Sequence, residues 1–320
     1  MPENIIQKYE KIYKETSYIN EEVKKVCRLV EERGVAAYRY RHVVKQIIDF
    51  LQNTVKEISP IETFKVIDVP KEYTSQIDFI YNLDITVNLI KHGNDYNSGS
   101  GKSAIDYDAK LINGKINDGY IEIEAYYANG LLDKYTFERT FYHELNHYYD
   151  MWQDLLKNNN VNRFYNDALK SSNFHSINIF DNQLDKIIGT ILYRLFSDTE
   201  LNATISGVYG ELSSLKSKRE NFSQDIQKLI AYKLYNDILY YIKIVNKLNS
   251  EQLTKIKLFL QDNGVILHGY GSSIEAFKKE FIGKIRWRLK NLLRGIGKVA
   301  SLYYDNNERD IKDFTKKIMI

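Results

Sequence analysis

The sequence predicts an α+β fold on three observations. Apolar residues recur every three or four positions over residues 4–58, alternate with a period near two over 61–127, and return to a helical period from Phe137 onwards. A sheet is therefore expected in the first half of the chain, with helical segments before and after it.

In chain order, Asn20 with Glu21 and Glu22 behind it opens a helix that Gly34 closes. Val43, Ile47, Ile48, Leu51, Val55 and Ile58 give the next helix its core stripe, and Ser59-Pro60 stops it. His42 at its edge reads as a solvated side chain. Strands are expected near 64–69, 77–90 and 120–127, between clusters of Asn, Asp and Gly. In the last of these, Ile121, Ile123, Ala125 and Tyr127 alternate with Tyr120, Glu122, Glu124 and Tyr126, the pattern of a strand with one buried and one polar face. The run Gly99-Ser100-Gly101-Lys102-Ser103 ends like a phosphate-binding loop. That loop requires a glycine five positions before Gly101, where Tyr96 stands, so the run reads as a flexible turn without nucleotide binding.

Composition narrows the class. The chain has 320 residues, 43% hydrophobic and 27% charged, as a soluble globular protein with a substantial core would have, but its 26 Tyr against 3 Pro is not ordinary for that class. Cys27 is the only cysteine, which excludes an internal disulfide framework. The first residues carry charges every few positions, and no later window approaches the length of apolar sequence a membrane span needs, so a cytoplasmic protein without an export signal is expected. Three parts are expected: a helical segment over 1–34, an α+β domain over 35–215 and a helical region over 216–320. Residues 251–320 carry 14 Lys or Arg against 8 Asp or Glu. Their densest basic part, 284–298, follows an apolar stripe of Phe277, Phe281, Ile285, Leu289 and Leu292, and reads as a core helix with a solvated basic face rather than a nucleic-acid site.

The stretch 137–152 carries the chemistry. Phe137, Phe141, Leu145, Tyr148, Trp152 and Leu155 form one apolar stripe, and His143, His147, Asp150 and Asp154 fall on roughly the opposite side. Within it, His143-Glu144-Leu145-Asn146-His147 is an H-E-x-x-H. Residues four apart on a helix lie about 40° apart around the axis and roughly 6 Å along it, so the two imidazoles can grip one metal ion with Glu144 beside them. Zinc accepts imidazole nitrogen, and a catalytic site combines three protein ligands with a water whose proton a neighbouring carboxylate can accept.

On these residues the chain resembles the zincin metallopeptidases over roughly residues 119–215. The resemblance implies a mixed sheet packed on the active-site helix, Zn2+ as cofactor, His143 and His147 as ligands, Glu144 as general base and a peptide or protein as substrate. It also implies that 120–127 is the edge strand along which an extended peptide pairs. Asp150 and Gln153 stand three and six positions past His147, where the metzincin branch has Gly and His, which excludes that branch. The glutamate-ligand, or gluzincin, branch implies Glu200 as third ligand; at the outer-shell position one turn later, often acidic in that branch, this chain has Thr204. YHELNH followed by a TE-x-x-A segment is also similar to zincin-like proteins of gut bacteriophages.

A competing role for Glu200 is visible locally, because Ser197-Asp198-Thr199-Glu200 is an S-x-x-E capping box. If Glu200 only caps, Asp150, His175 or Asp181 is the alternative third ligand. The small residues Ala203, Ser206, Gly207 and Gly210 suit close approach of this helix to the metal helix. Asp150 is placed to accept a hydrogen bond from an imidazole N–H, and Tyr209 is a candidate oxyanion donor. The alternative to a peptidase is a zincin-like scaffold or virion component without catalysis.

Overall fold

A computed structural model describes residues 35–304, apart from 60, 92–100, 105–108, 159–160 and 268–272. The helix expected over 1–34, with Asn20, Cys27 and Gly34, lies outside the described residues.

Helices α1 (Val35–Arg39) and α2 (Arg41–Glu57) come first. The stripe expected of α2 is buried, with Val43, Ile47, Ile48, Leu51 and Val55 all turned inwards. There follow β1 (Phe64–Asp68), the short α3 (Lys71–Thr74), β2 (Ile80–Lys91), β3 (Gly101–Ala104), β4 (Leu111–Ile112), β5 (Lys115–Ala128) and β6 (Leu131–Leu132). They form one six-stranded mixed sheet with the path β1-β2-β5-β3, while β4 and β6 pair with β5 off that path. Only β2 and β5 are parallel, in a register that runs from Ile80 against Ile116 to Lys91 against Tyr127. The fold is α+β, as the periodicities require.

Two short hairpins shape β5. Asn113-Gly114 joins β4 to β5 and Asn129-Gly130 joins β5 to β6, and all four residues have positive φ. Two-residue turns of this hand match the twist of the strands they join, and Asn-Gly is the pair that adopts them at least cost.

The expected strand at 120–127 is found within β5, and its alternation is as read: Ile121, Ile123 and Ala125 are buried while Glu122 and Glu124 are half-exposed. Its expected place at the edge is wrong. β5 lies between β2 and β3, and β3 is the edge on that side. Alternation reports that one face meets the core; it carries no information on whether the backbone is paired on both sides. The reading of Gly101 to Ser103 as a flexible turn is corrected for the same reason, since these residues belong to β3, where Gly101 pairs with Ile123 and Ser103 with Ile121.

Helix α4 (Lys134–Asn158) packs on β5 and β3 and carries the H-E-x-x-H. Asp133 fixes its start by accepting from the backbone N–H of Thr136 at 3.2 Å and from its hydroxyl at 2.6 Å. Phe137, Phe141, Leu145 and Tyr148 are fully buried. The Tyr148 hydroxyl accepts from the Tyr120 N–H at 2.7 Å and donates to the Tyr120 carbonyl at 2.9 Å, and Trp152 donates to the Gly114 carbonyl at 2.7 Å. The helix is thereby registered at two points, one on β5 and one on the turn that leads into it.

The rest is helical: α5 (Asn162–His175), α6 (Asn182–Phe196), α7 (Asp198–Ser214), the one-turn α8 (Phe222–Asp225), α9 (Ile230–Val245), α10 (Ser250–Asp262) and α11 (Ile274–Tyr303). The stripe Phe277, Phe281, Ile285, Leu289 and Leu292 of α11 is buried as expected. Helix α7 presses its small residues against α4. A Cβ on Gly210 would lie 2.6 Å from the carbonyl carbon of Glu138, and one on Gly207 would lie 3.2 Å from the Arg139 carbonyl oxygen. On its other side α7 meets α11, where a Cβ on Gly295 would lie 2.3 Å from Ile205 Cδ1.

These contacts predict opposite outcomes for two glycine replacements. Gly210→Ala forces backbone from α4 to move and should lower stability to denaturant by about 1–3 kcal/mol. Gly283→Ala, at a mid-helix position with nothing within 4 Å, should raise it by up to about 1 kcal/mol through helix propensity. Urea unfolding of both variants beside the parent checks the pair.

Candidate metal centre

His143 and His147 project from successive turns of α4, with ring centroids 4.9 Å apart. The first turn of α7 brings Glu200 across to them: one carboxylate oxygen lies 3.6 Å from His143 Nε2 and the other 3.7 Å from His147 Nε2. A ligand atom from each of the three residues lies within 4.8 Å of the other two, the only such group of His, Cys, Asp or Glu among the described residues. The separations exceed hydrogen-bond length. They approach the ~3.3 Å spacing of nitrogen and oxygen atoms held tetrahedrally about 2.0–2.1 Å from one ion. Oε2 of Glu200 is also buried without a hydrogen-bond partner. Such an atom carries a desolvation cost that a cation offsets, so the donor set fits a metal ion.

The two roles offered for Glu200 separate cleanly. Ser197 Oγ accepts from the Glu200 N–H at 3.3 Å, which is the serine half of a capping box. Another helix supports the same turn: Asp167 of α5 accepts from the Thr199 N–H and from the hydroxyls of Ser197 and Thr199, each at 2.8 Å. With the helix end held by Asp167, the Glu200 carboxylate turns to the imidazoles. Asp181, an alternative ligand, instead caps α6 by accepting from the Leu184 N–H at 2.8 Å.

The electrostatics suit a ligand set. Burial pushes the Glu200 pKa up, but the imidazoles of His143 and His147 and the Arg194 guanidinium outweigh it and hold it at about 2. Arg194 Nη1 stands 3.7 Å from Glu200 Oε2. Burial, then the charge of His143, lowers the pKa of His147, which favours the neutral imidazole that metal binding requires.

Glu144 is buried beside the triad, under β3. A Cβ on Gly101 would meet Thr140 Cγ2 at 2.5 Å and the Glu144 Cγ and Oε1 at 2.9 Å. The edge strand's backbone therefore passes directly over the carboxylate, which only glycine allows. Among the described residues no strand pairs with the far side of β3.

The outer positions have these surroundings. Asp150 accepts from the side-chain amides of Asn146 at 3.1 Å and Asn202 at 3.3 Å. With Ser206 donating to Asn146 Oδ1 at 2.6 Å, it stitches α7 to α4. Thr204 has its hydroxyl buried without a hydrogen bond, so it does not replace an acidic outer-shell partner. Tyr209 is packed edge-on against Tyr142 and Tyr303, both at 5.5 Å. It lies nine residues from Glu200, about 13 Å along the axis and half a turn round, so it cannot face the triad.

The tyrosine that does face it is Tyr193 of α6. It lies in the fields of Glu200 and Glu144; burial, then the Glu200 charge, pushes its pKa up, so its hydroxyl keeps its proton. Its ring rests against His175, 5.3 Å away, which places that histidine at the rim. The signal for Tyr193 was the capping box itself. Ser197 is both the C-cap of α6 and the N-cap of α7, so a residue about one turn before that corner meets one a turn after it.

No family model, curated protein or solved structure matches the chain. The metal centre therefore stands on its geometry: a His-His-Glu group able to hold a metal ion. Glu200→Gln keeps the helix start, which rests on Ser197 and Asp167, but removes the anionic ligand. It should leave circular dichroism unchanged and weaken zinc binding by more than the roughly 10- to 100-fold that loss of an outer-shell partner costs. An unchanged zinc titration would show that Glu200 is not a ligand.

Proposed function

We propose that this chain is a zinc-dependent peptidase that hydrolyses peptide bonds with an activated water. The reading rests above all on Glu144, a carboxylate buried between a metal-competent triad and the open edge of a sheet. A site that held metal for structure alone has no use for a buried carboxylate at that point.

His143, His147 and Glu200 would hold the ion. Bound there, zinc supplies a Lewis acid for the scissile carbonyl and lowers the pKa of a coordinated water. Glu144 accepts the proton of the attacking water and delivers it to the leaving amine, as general base and then general acid. The Tyr193 hydroxyl, protonated at neutral pH, donates towards the oxygen on which negative charge develops. The unpaired side of β3 offers backbone N–H and C=O groups to an extended peptide and so aligns its scissile bond over Glu144. A glycine at position 101 brings that strand close enough for the alignment to matter.

The non-enzymatic alternative, a scaffold that keeps the fold, predicts no turnover of any peptide by the zinc-loaded protein. Incubation with a mixed peptide library, read by mass spectrometry, separates the two. Glu144→Gln should bind zinc like the parent yet lose hydrolysis by about 100- to 10,000-fold, since Gln keeps the shape but accepts no proton. Full activity in that variant would overturn the assigned mechanism.

Tyr193→Phe tests the donor separately. It should lower kcat by about 100- to 1,000-fold with little change in KM, while Tyr209→Phe leaves kcat alone. The reverse pattern would return the role to Tyr209.

A further inference from the structure

The 30-residue α11 buries one side and presents the other. From Lys279 onwards its exposed stripe consists of Lys279, Gly283, Arg286, Trp287, Lys290 and Arg294, with Glu275 and Ala276 exposed in the first turn. Between Phe281 and Tyr304 the sequence has six Lys or Arg and no Asp or Glu. The face is thus of one sign, and the ladder Arg286, Lys290, Arg294 repeats about every 6 Å along the axis.

Trp287 stands in this field with half its surface, 50%, open. Lys284 Nζ lies 5.0 Å and Arg288 Cζ 5.3 Å from its ring, and Arg288 is itself tied to Asp198 at the start of α7. The ring is therefore braced by cations rather than covered by apolar neighbours.

One turn earlier sits Gly283. Gly189, Gly207, Gly210 and Gly295 each lie where a Cβ would meet another atom at 3.2 Å or less, so close packing explains those helical glycines. Gly283 has nothing within 4 Å. In mid-helix it costs stability relative to alanine, and no contact among the described residues accounts for it. Helical side chains lean towards the N-terminus, so Trp287 leans over this bare turn. An exposed aromatic ring, an empty recess beside it and a single-signed ladder of cations are the parts of a stacking platform along a polyanion.

We propose that this face of α11 binds single-stranded nucleic acid, with a base stacked on Trp287 above Gly283 and successive phosphates along Arg286, Lys290 and Arg294. A membrane surface fits less well, because the Ile, Leu and Phe side chains of the helix are buried and a lone tryptophan offers little apolar area to lipid. The inference is independent of the metal centre and holds for an active or an inactive site.

The test is fluorescence anisotropy of a labelled oligothymidylate strand of about 20 nucleotides with the full-length protein, alongside a duplex of the same length, anionic vesicles and polyglutamate. Binding to the single strand should weaken roughly 20-fold between about 50 and 200 mM salt if three phosphates are neutralised. Trp287→Ala should weaken it at least about 5-fold and Trp287→Phe much less, since stacking needs a ring. Gly283→Leu should also weaken it by filling the recess, and the combined reversal R286E, K290E and R294E should abolish it. Circular dichroism on each surface variant establishes that the fold is kept. No binding at low salt, equal or tighter binding of duplex, vesicles or polyglutamate, or indifference to Trp287→Ala and Gly283→Leu, would each overturn the proposal.

Discussion

The closeness of α4 and α7 is the constraint on which the site depends. Helices normally pack with axes 8–10 Å apart, held off by their side chains. Here Gly207 and Gly210 let the backbone of α7 touch α4 at Glu138 and Arg139. Further along the same seam, Asn146, Asp150, Asn202 and Ser206 form a hydrogen-bonded set between the two helices. Only where that seam is so tight can a side chain as short as Glu200 reach both imidazoles of the neighbouring helix.

Holding a carboxylate there works against desolvation. Glu200 is buried, and its proton would be favoured but for the two imidazoles and Arg194, which win and keep it ionised. The cost is met by dividing labour between helices. Asp167 accepts from the Thr199 N–H in the first turn of α7 and so holds the helix end while the Glu200 carboxylate turns to the imidazoles. Loss of Asp167 would therefore reach the metal centre through the position of Glu200, without any direct contact between that aspartate and the ion.

Much of this was legible in the sequence, and the failures share one cause. The helical stripes of α2, α4 and α11 could be read because periodicity encodes which side of an element is buried. Two members of the triad could be read because His143 and His147 have a local spacing, and Glu200 because the small residues after it suit close approach of the two helices, although the helix-start signal at Ser197 offered it a capping role instead. What escaped was non-local pairing. Nothing in Gly101-Lys102-Ser103 announces a strand, because its two faces show no apolar alternation; it becomes one by pairing with β5. Asp167 and Tyr193 escaped likewise, one acting across helices and the other hidden among 26 tyrosines. Tyr209 attracted attention by lying on the same helix as Glu200, but being on one helix nine residues on points it the other way.

The two edges of the sheet show how one architecture serves different ends. At β1, Phe64 and Val66 are each 53% exposed, and the strand runs beside β2 alone, remote from α4. At β3 the chain instead lies on α4, where any side chain at position 101 would collide with Thr140 and Glu144. Both edges leave backbone groups unpaired among the described residues, but only at β3 do those groups and a buried carboxylate share one short distance. Edge strands are places where added strands pair. The glycine converts that general tendency into a specific one, because a segment pairing with β3 is carried within reach of Glu144 and the metal-competent triad, whereas the same segment on β1 would meet neither.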